Sequence, residues 1–376
     1  MRGKMNSFKK RIMIDTRVVI EGNEHGIARH TRELIYNLIH KNNPAIEFLL
    51  LVNKNSPFFK QKLPKNFKVI KLKTGLYNLF GQFEMFFYTL KYRPHFFHSP
   101  HFIVPLLGNT PLIATIHDMN HVALSKNYTL KQKLYYNFFL KRRLIKAKYI
   151  VTVSDFSKNE IMKYFQISDD KIRVIYNGVY NNFKQRSEFC VDRIKEFLAK
   201  YNLPEKYIFA SGNHKPHKNL EKLTEAYCLG NFDLPLVILS DFNDKNLELA
   251  KKFNKKNQIY FLNFVREEDF PLLYALSSAF IFPSLYEGFG LPPLEAAACG
   301  VPVVVSSTTS LPEIMQDTAT YVNSESIHDL QRGMQEALNE NNEVIHIRVK
   351  NGLKLAQKYT WSNMAQETLE LYDKLY

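Results

Sequence analysis

The chain is poor in the features that mark cross-linked, secreted or membrane-spanning proteins. Its 376 residues include three cysteines, Cys190, Cys228 and Cys299, without the paired spacing of a disulfide framework or a zinc site. No apolar run approaches the ~18 residues of a spanning helix. The N-terminal segment MRGKMNSFKK is basic, but no apolar signal-peptide core follows it. We therefore expect a soluble or peripheral protein of the reducing cytoplasm.

The chain is rich in the residues that form packed cores. Hydrophobic residues make up 45% and aromatic residues 14% of the sequence, which excludes a disordered chain. Because 376 residues exceed the size at which a single core usually stops growing, we expect two domains.

Positive charge is concentrated in the first half of the chain. Residues 1–182 hold 30 Lys and Arg against 11 Asp and Glu, an excess of 19, whereas residues 183–376 hold 21 against 25, a deficit of 4. This asymmetry favours an anionic partner or surface for the first half. The alternative is a lysine-rich solvated surface, which does not account for the acidic second half.

Short apolar segments alternate with amphipathic stretches. Helices are expected at 26–41, 218–229 and 361–376. The alternation predicts an α/β protein of two Rossmann-like, doubly wound parallel-sheet domains facing a ligand cleft. The expected strands are 11–15, 46–52, 68–72, 95–99, 111–118, 149–154 and 171–179 in the first half, and 206–212, 235–241, 258–265, 278–284 and 301–307 in the second.

The segment PSLYEGFGLPPLEAAACGVPVVVS, residues 283–306, carries the strongest functional signal. Gly288 and Gly290 allow a tight turn after a strand, and the prolines after Leu291 suit the first turn of a helix. A glycine turn at a helix start can cradle phosphate, while the flanking Glu287 and Glu295 suit hydroxyl groups. The pattern fits a nucleotide-sugar. It also fits an ordinary strand–turn–helix whose acidic residues complement the helix dipole.

Together with LPEI at 311–314, this segment resembles the Glu-x7-Glu signature of the retaining glycosyltransferases of family four, which have the GT-B fold. The resemblance spans nearly the whole chain, since GIARHTREL, FHSPHFIVPL, ATIHD, VTVSDFSKNEI, VIYNGV and HKPHKNL also match. It implies an acceptor-binding domain at 1–182 and a nucleotide-sugar domain at 183–358. It also implies a terminal helix, 359–376, that crosses back onto the first domain.

The resemblance implies roles for individual residues. Lys218 would pair with the donor phosphates, Glu287 would contact the sugar hydroxyls, and Glu295 would hold the ribose hydroxyls. His117 would lie near the transferred sugar, which makes it a catalytic candidate together with Lys218 and Glu287. Backbone contacts to the donor are implied at Gly26, Gly288, Phe289, Gly290 and Leu291.

One departure from the family pattern concerns the donor phosphates. Where many relatives carry an arginine after the glycine of the strand turn, this chain carries Asn213, which we still expect to contact the donor. The residue before Lys218, often arginine, is His217. Candidates for replacing the missing charge are His217, Lys215 and Arg266.

The implied chemistry is sugar transfer with retention, without a metal or other cofactor. Negative charge grows on the leaving diphosphate, and cationic or N–H groups stabilise it. No Asp-x-Asp motif stands in a metal-binding context. The leaving phosphate takes the acceptor proton, so the two glutamates are not the acid and base of a hydrolase. Four histidines near His117 leave a metal cluster as an alternative, although the spacing of His95, His98, His101 and His121 fits no closed site.

The basic first half favours an acceptor at a membrane. Residues 54–73 carry seven lysines among phenylalanines, 75–93 are rich in aromatic residues, and 130–148 predict a basic amphipathic helix packed through Leu134, Phe138 and Ile145. Lysines beside aromatic side chains suit an anionic membrane surface or a polyprenyl-pyrophosphate-linked glycan. We expect a peripheral enzyme on the cytoplasmic face of the inner membrane that builds surface polysaccharide or the O-antigen of lipopolysaccharide.

The donor and several alternative functions stay open. Similarity to mannosyltransferase-type members favours GDP-mannose over a UDP-sugar. The alternatives are a nucleotide-sugar epimerase or a phosphorylase of the same fold, a sugar-binding module without activity, and a basic nucleic-acid-binding protein. The sequence identifies no lysine for pyridoxal phosphate and no nucleic-acid motif, so we expect no nucleic-acid partner.

Overall fold

The structure, a computed structural model, describes residues 10–22, 26–213, 215–240, 244–253, 255, 258–339 and 341–375. The basic N-terminal segment considered as a signal peptide lies, except for Lys10, outside the described residues. The chain divides into two compact units. The first comprises Met1–Asn177 with Trp361–Tyr376, and the second comprises Gly178–Thr360.

The first unit alternates strands and helices. Its strands are β1 (Lys10–Asp15), β2 (Ile46–Val52), β3 (Phe67–Lys71), β4 (Phe96–Ser99), β5 (Leu112–Ile116), β6 (Tyr149–Thr152) and β7 (Ile172–Val174). Its helices are α1 (Gly26–Lys41), α2 (Phe80–Tyr92), α3 (Asn120–Ala123), α4 (Leu130–Leu134), α5 (Lys141–Ile145), α6 (Asp155–Phe165) and the C-terminal α15 (Trp361–Lys374).

The second unit repeats this alternation. Its strands are β8 (Tyr207–Ser211), β9 (Leu236–Leu239), β10 (Ile259–Leu262), β11 (Ser277–Phe282), β12 (Val303–Ser306) and β13 (Thr320–Val322). Its helices are α7 (Val191–Tyr201), α8 (Leu220–Leu229), α9 (Asp244–Lys252), α10 (Phe270–Ala275), α11 (Leu291–Ala298), α12 (Leu311–Met315), α13 (Ile327–Leu338) and α14 (Glu343–Ala356).

Each unit is built on one parallel sheet. The first sheet has the order β3-β2-β1-β4-β5-β6-β7, and the second has the order β10-β9-β8-β11-β12-β13. Ile14 of β1 stands opposite Leu50 on one side and His98 on the other. Ala210 of β8 stands opposite Ile238 and Ile281 in the same way. The two doubly wound parallel sheets expected from the sequence are thereby confirmed.

Continuous apolar segments become the central strands. All seven residues of β2, IEFLLLV, are buried, as are all five residues of β5, LIATI. A strand inside a parallel sheet is covered on both faces by helices, so most of its side chains are apolar without alternation. Glu47 in β2 and Thr115 in β5 are the buried polar exceptions. The carboxyl ends of these strands therefore emerge from a rigid core, and the loops that follow them can hold functional groups in place.

The C-terminal helix α15 completes the first unit, where it packs against α1. Its inner face buries Trp361, Met364, Leu369 and Tyr372. The Tyr372 hydroxyl lies 2.5 Å from Nδ1 of the buried His98 on β4. This confirms the expectation that a terminal helix crosses back onto the first domain.

The packing predicted for the segment 130–148 is wrong. Leu134, Phe138 and Ile145 are between 42% and 56% exposed, and the buried residues are instead Tyr136, Leu140, Leu144 and Ala147. The segment is not one regular helix, because residues Tyr135–Leu140 form a π-helix between α4 and α5. A π-helix adds a residue to the turn and rotates the side chains that follow it, which include Ile145 but not Leu134.

None of the helices in the described part of the chain combines the length and the apolar character that crossing a bilayer would require.

Candidate active site

The order of strands places a candidate ligand site in the second unit. Chain connections run in opposite directions from β8 and β11, which makes the gap between their carboxyl ends a topological switch point. In open parallel sheets, ligands bind outside the strands at such a point. Gly212 and Asn213 follow β8 there, and residues 283–290 follow β11. The predicted donor residues therefore come from two adjacent loops.

Lys218 and Glu287 meet at this switch point. Lys218 Nζ lies 2.6 Å from Glu287 Oε1, and the two side chains are only 18% and 14% exposed. Lys218 ends a short 3-10 turn, Pro216–Lys218, that packs closely against the loop after β8. A Cβ at Gly212 would stand 3.3 Å from the Lys218 Cβ, so glycine permits this approach. The pair places a cation and a carboxylate together at the site.

The two loops are joined through the backbone of His217. Its carbonyl accepts hydrogen bonds from the Leu285 N–H at 2.7 Å and from the Ser284 hydroxyl at 3.1 Å. Asn219 adds a second connection, because its Nδ2 donates to the Pro283 carbonyl at 3.3 Å. These bonds fix Lys218 relative to Glu287 before any ligand binds.

The glycine turn between Glu287 and α11 has a backbone that only glycine readily adopts. Gly290 has a φ of +98°, and a Cβ there would lie 2.7 Å from Leu311 Cδ2. Helix α11 then begins at Leu291 with two prolines in its first turn. Because proline has no N–H, backbone donors for an anion must come from the residues that precede Pro292. The turn, rather than the helix itself, supplies the amide groups.

Glu295 lies inside α11 and is only 3% exposed. The hydroxyl of the buried Tyr274 donates to Glu295 Oε2 at 2.9 Å and so fixes the orientation of the carboxylate. Because so little of this carboxylate is exposed, only a small ligand group, such as a hydroxyl, can approach it and donate a hydrogen bond.

The structure adds two residues that the sequence interpretation missed. The Ser310 hydroxyl donates to the carbonyls of Glu287 at 3.0 Å and Phe289 at 3.1 Å. The Glu287 N–H donates to Thr309 Oγ1 at 3.3 Å, and Thr309 has a φ of +62°, which is unusual for a β-branched residue. Both residues hold the glycine turn in shape. The signal in the sequence is the hydroxyl cluster TTS directly before LPEI.

The remaining predicted donor-binding and phosphate-support residues make contacts of their own. Asn213 is exposed, and its Oδ1 accepts a hydrogen bond from the N–H of the exposed Lys215 at 3.2 Å. The Arg266 guanidinium is largely exposed and lies 3.6 Å from Glu268. His217 is buried, and its backbone does the positioning described above. In the described structure, Lys218 is the cation that stands against the glycine turn.

Two predicted residues, Gly26 and His117, belong to the first unit. His117 follows β5, and its Nε2 donates to the Pro100 carbonyl at 3.0 Å. Its ring meets the edge of the His30 ring, with 4.6 Å between centroids, and His30 Nδ1 donates to Asn177 at 2.8 Å. Gly26 begins α1, and a Cβ there would find no atom within 4 Å.

Buried histidines surround His117. Burial lowers the pKa of His98 to about 3 and of His101 to about 4. The pKa of His30 is also lowered well below its usual value, first by burial and then by the charge that His117 would carry. These three imidazoles are therefore neutral at neutral pH.

A buried ion pair holds the loop after β1. Arg17 donates to Asp15 through Nε at 2.8 Å and through Nη2 at 2.7 Å, and both side chains are fully buried. Burial alone would raise the pKa of Asp15, but the Arg17 charge and hydrogen bonds hold it below its ordinary value. The loop that leads toward α1 is thereby fixed at its start.

The described residues contain no group of three or more His, Cys, Asp or Glu side chains placed to hold a metal ion. The chain's independence of metals stays a prediction, because this finding concerns the protein side chains alone.

The sequence matches two protein-family models that together cover most of the chain. Residues 25–182 match Glycosyltransferase Family 4, and residues 193–354 match Glycosyl transferases group 1.

Several similar proteins are named as mannosyltransferases. O-antigen chain mannosyltransferase B of Escherichia coli is 31% identical over 293 residues, which cover 76% of this chain and 75% of the relative. O-antigen chain mannosyltransferase RfbU of Salmonella typhimurium is 29% identical over 71% of this chain and 70% of its own length. The serotype-specific mannosyltransferase WbdA of Escherichia coli is 30% identical over 74% of this chain, but the match spans only 36% of that longer protein.

Solved structures share the fold at low sequence identity. Sucrose-phosphate synthase from Thermosynechococcus elongatus superposes with a TM-score of 0.77 at 18% identity, over 97% of this chain and 99% of that one. Anabaena HepE in complex with UDP and glucose gives a TM-score of 0.75 at 16% identity, over 97% and 100%. WaaG, a glycosyltransferase involved in lipopolysaccharide biosynthesis, gives 0.72 at 14% identity, over 96% and 99%. The fold is therefore GT-B, and the chain belongs to the group 1 and family 4 glycosyltransferases.

Proposed function

We propose that this glycosyltransferase moves mannose from GDP-mannose to a glycan or polyprenyl-pyrophosphate-linked acceptor during assembly of an O-antigen or related surface polysaccharide. The names of the mannosyltransferase relatives support the sugar and the pathway. The observation that carries the donor site is the Lys218–Glu287 pair beside the glycine turn. We assign donor binding to the domain 183–358 and acceptor binding to the domain 1–182.

In this proposal the donor diphosphate lies on the glycine turn. Lys218 contributes positive charge to the phosphates, and the backbone of Gly288, Phe289, Gly290 and Leu291 contributes N–H groups. Glu287 contacts hydroxyls of the transferred sugar, and Glu295 contacts the ribose hydroxyls. The support is chemical, because cations and amides suit a diphosphate, whereas carboxylates repel it and accept from hydroxyls.

The proposed step retains the configuration at the anomeric carbon. The bond from this carbon to the diphosphate oxygen breaks, and its electron pair goes to the leaving nucleoside diphosphate. The acceptor oxygen forms its bond on the same face of the sugar, and its proton passes to the leaving phosphate. Lys218 stabilises the negative charge that grows during this step, so neither glutamate needs to act as a general acid or base.

A donor screen tests the proposal. The purified enzyme is incubated with GDP-mannose, GDP-fucose, UDP-glucose and UDP-galactose together with mannoside acceptors, and release of nucleoside diphosphate and formation of product are measured. We expect GDP-mannose to be used, with retention at the new bond and no loss of rate in EDTA. Conversion of the sugar without release of GDP would show an epimerase instead. Absence of transfer from every donor would refute the proposal.

We also propose that the enzyme acts on the cytoplasmic face of the inner membrane as a peripheral protein. The supporting feature is a stripe on α2 formed by Phe80, Phe83, Phe87 and Leu90, which are between 58% and 72% exposed. Their spacing of three, four and three residues places them on one helix face. Contiguous exposed apolar surface of this kind is uncommon on a protein that stays in solution.

Positive charge beside the α2 stripe favours an anionic bilayer as its partner. Lys91 Nζ lies 6.0 Å from the centre of the Phe87 ring, and Lys71 Nζ lies 5.7 Å from that of the exposed Phe59. Residues 54–73, which lead toward α2, carry seven lysines. Aromatic side chains that enter the lipid interface beside lysines that face anionic headgroups form a recognised mode of peripheral attachment.

Vesicle sedimentation tests the membrane proposal. Wild-type protein is expected to bind vesicles containing phosphatidylglycerol and to bind pure phosphatidylcholine weakly. The double variant Phe83→Ser/Phe87→Ser should lose about tenfold or more in binding, since two large apolar side chains leave the lipid. The matched control is Val344→Ser/Ile347→Ser, which removes two exposed apolar side chains from α14 in the second unit. Equal loss in both double variants would contradict a specific role for α2.

A further inference from the structure

Thr309, in the loop after β12, has an unfavourable backbone conformation. Its φ is +62°, and it is the one β-branched residue among the described non-glycine residues of positive φ. Four of the others end helices, where a positive φ is common: Arg93, Gln166, Asn202 and Gln316. Thr309 instead precedes a helix. A β-branched side chain crowds the backbone in this region, so the surrounding structure must hold the residue in place.

The loop after β12 supplies the bonds that hold Thr309. The hydroxyls of Ser306 and Thr308 lie 3.0 Å apart. The Thr309 hydroxyl donates its hydrogen to the Thr308 carbonyl at 2.7 Å. Because that hydrogen is used, the hydroxyl meets its other neighbour as an acceptor, and the Glu287 N–H donates to it at 3.3 Å. The strained residue therefore links the end of β12 to the start of the glycine turn.

Two successive residues of this loop bind the two polar groups of the Glu287 backbone. Thr309 accepts from the Glu287 N–H, while the Ser310 hydroxyl donates to the carbonyls of Glu287 at 3.0 Å and Phe289 at 3.1 Å. The Glu287 carboxylate pairs with Lys218 at 2.6 Å. In the described contacts with the turn, Thr309 reaches Glu287, whereas Ser310 also holds the residues beyond it.

The shape of the loop alone does not explain a threonine at this position. Glycine adopts a φ near +60° most readily, and asparagine tolerates it better than threonine does. Glycine would remove the strain, but it would also remove the oxygen to which the Glu287 N–H donates. Strained backbone of this kind clusters at functional sites, where it is part of the mechanism. The side-chain oxygen is therefore what the position requires.

We propose that Thr309 is a positioning residue for sugar transfer, whose hydroxyl fixes the Glu287 backbone so that the Glu287 carboxylate meets the hydroxyls of the transferred sugar. This rests on the proposed function, in which Glu287 contacts that sugar. The diphosphate contacts assigned to residues 288–291 are held through Ser310 and do not require Thr309. Loss of the Thr309 hydroxyl should therefore weaken the use of GDP-mannose and spare the binding of GDP, which lacks the sugar.

The test separates the hydroxyl of Thr309 from its strain. Thr309→Gly removes both, whereas Thr309→Ser keeps the hydroxyl and removes the β-branch. For each variant, kcat/KM for GDP-mannose is measured by GDP release, the Kd of GDP by calorimetry and Tm by thermal unfolding.

The two variants are expected to differ in activity and not in stability. In Thr309→Gly, kcat/KM for GDP-mannose should fall about tenfold through the lost hydrogen bond, while the Kd of GDP stays within about twofold of the wild type. Its Tm should stay within about 3 °C of the wild type, because relief of strain offsets the lost bond. Thr309→Ser should keep the wild-type kcat/KM.

Gln316→Gly is the matched control, because Gln316 also has a positive φ in the second unit, and its exposed side chain lies at the end of α12. It should keep the wild-type kcat/KM. The positioning role is refuted if Thr309→Gly keeps the wild-type kcat/KM, or if Thr309→Ser loses as much activity as Thr309→Gly. It is also refuted if the Kd of GDP rises tenfold in Thr309→Gly, since the residue would then act on the whole turn.

A wild type that transfers from no donor would instead refute the proposed function. Hydrogen exchange of the Glu287 amide then tests Thr309 directly. Exchange should be faster in Thr309→Gly than in the wild type and in Thr309→Ser, and equal rates in all three proteins would refute the positioning role.

Discussion

Replacing Lys218 with alanine separates a catalytic role of this residue from a purely structural one. At 2.6 Å, the gross attraction between Lys218 Nζ and Glu287 Oε1 is about 6 kcal/mol at an effective dielectric constant of about 20. Desolvation cancels most of this, because both side chains are mostly buried. We therefore expect Lys218→Ala to lower the free energy of unfolding by about 1–3 kcal/mol, measured by urea unfolding.

The effect on sugar transfer is expected to be larger. Losing one group that stabilises the growing charge of a transition state costs about 10²–10³ in kcat. The double variant Lys218→Ala/Glu287→Gln leaves no unpaired carboxylate, so its stability should recover. Its kcat should stay at least about 100-fold below that of Glu287→Gln alone, measured as initial rates of GDP release, because the phosphates still lack their cation.

Lys222→Ala is the matched control for this experiment. Lys222 lies on α8, close to Lys218 in sequence, and its ammonium group donates to the Glu325 carbonyl at 3.0 Å. Removing this charge should change kcat less than about twofold. The phosphate role is refuted if the double variant recovers both its stability and the kcat of Glu287→Gln. In that case Lys218 acts only through folding.

Three further outcomes follow from the geometry. Glu295→Gln keeps an acceptor for the Tyr274 hydroxyl, so folding should persist while the KM for GDP-mannose rises about tenfold; an unchanged KM would remove Glu295 from the donor site. In the folded chain the pKa of His98 is about 3 and that of His101 about 4, whereas both are near 6.5 in the unfolded chain. Between pH 4 and pH 6.5 the unfolded chain therefore binds more protons than the folded chain. Urea unfolding should therefore show stability falling below pH 6.5 by about 1 kcal/mol per pH unit for each histidine, and a flat profile from pH 7 to 5 would contradict this. A Cβ at Gly333 would lie 2.5 Å from Val322 Cγ1, so Gly333→Ala should cost about 1–3 kcal/mol, whereas Gly352→Ala, with its nearest atom at 3.3 Å, should be nearly neutral in the same thermal unfolding assay.

The sequence carried enough information to locate the sheets and the donor turn. Strand β2 is apolar except for Glu47, and a segment that is apolar at successive positions is recognisable as a strand buried on both faces without tertiary information. Gly290 was equally predictable, because its positive φ excludes most other residues. Lys218 and Glu287, 69 residues apart, came together because both follow central strands at the switch point.

Other parts of the site depend on packing that a linear pattern does not show. The hydroxyl that orients Glu295 comes from Tyr274, on α10, a neighbouring helix that carries no motif. A π-helical turn within 130–148 shifts the helical period, and nothing in YYNFFL marks that shift. Ser310 and Thr309 act on the backbone of the glycine turn, so their role appears only when the two loops are seen together.

The path of the chain has a consequence for the order in which the protein can fold during synthesis. The second unit is continuous, whereas the first requires Trp361–Tyr376 from the end of the chain. Val179 donates to the Tyr359 carbonyl at 2.9 Å, so both ends of the second unit are joined within it. Until α15 has left the ribosome, α1 lacks its covering helix and His98 lacks the Tyr372 hydroxyl. The part of the chain made later can therefore reach its native state first, while the part made earlier waits for the last helix.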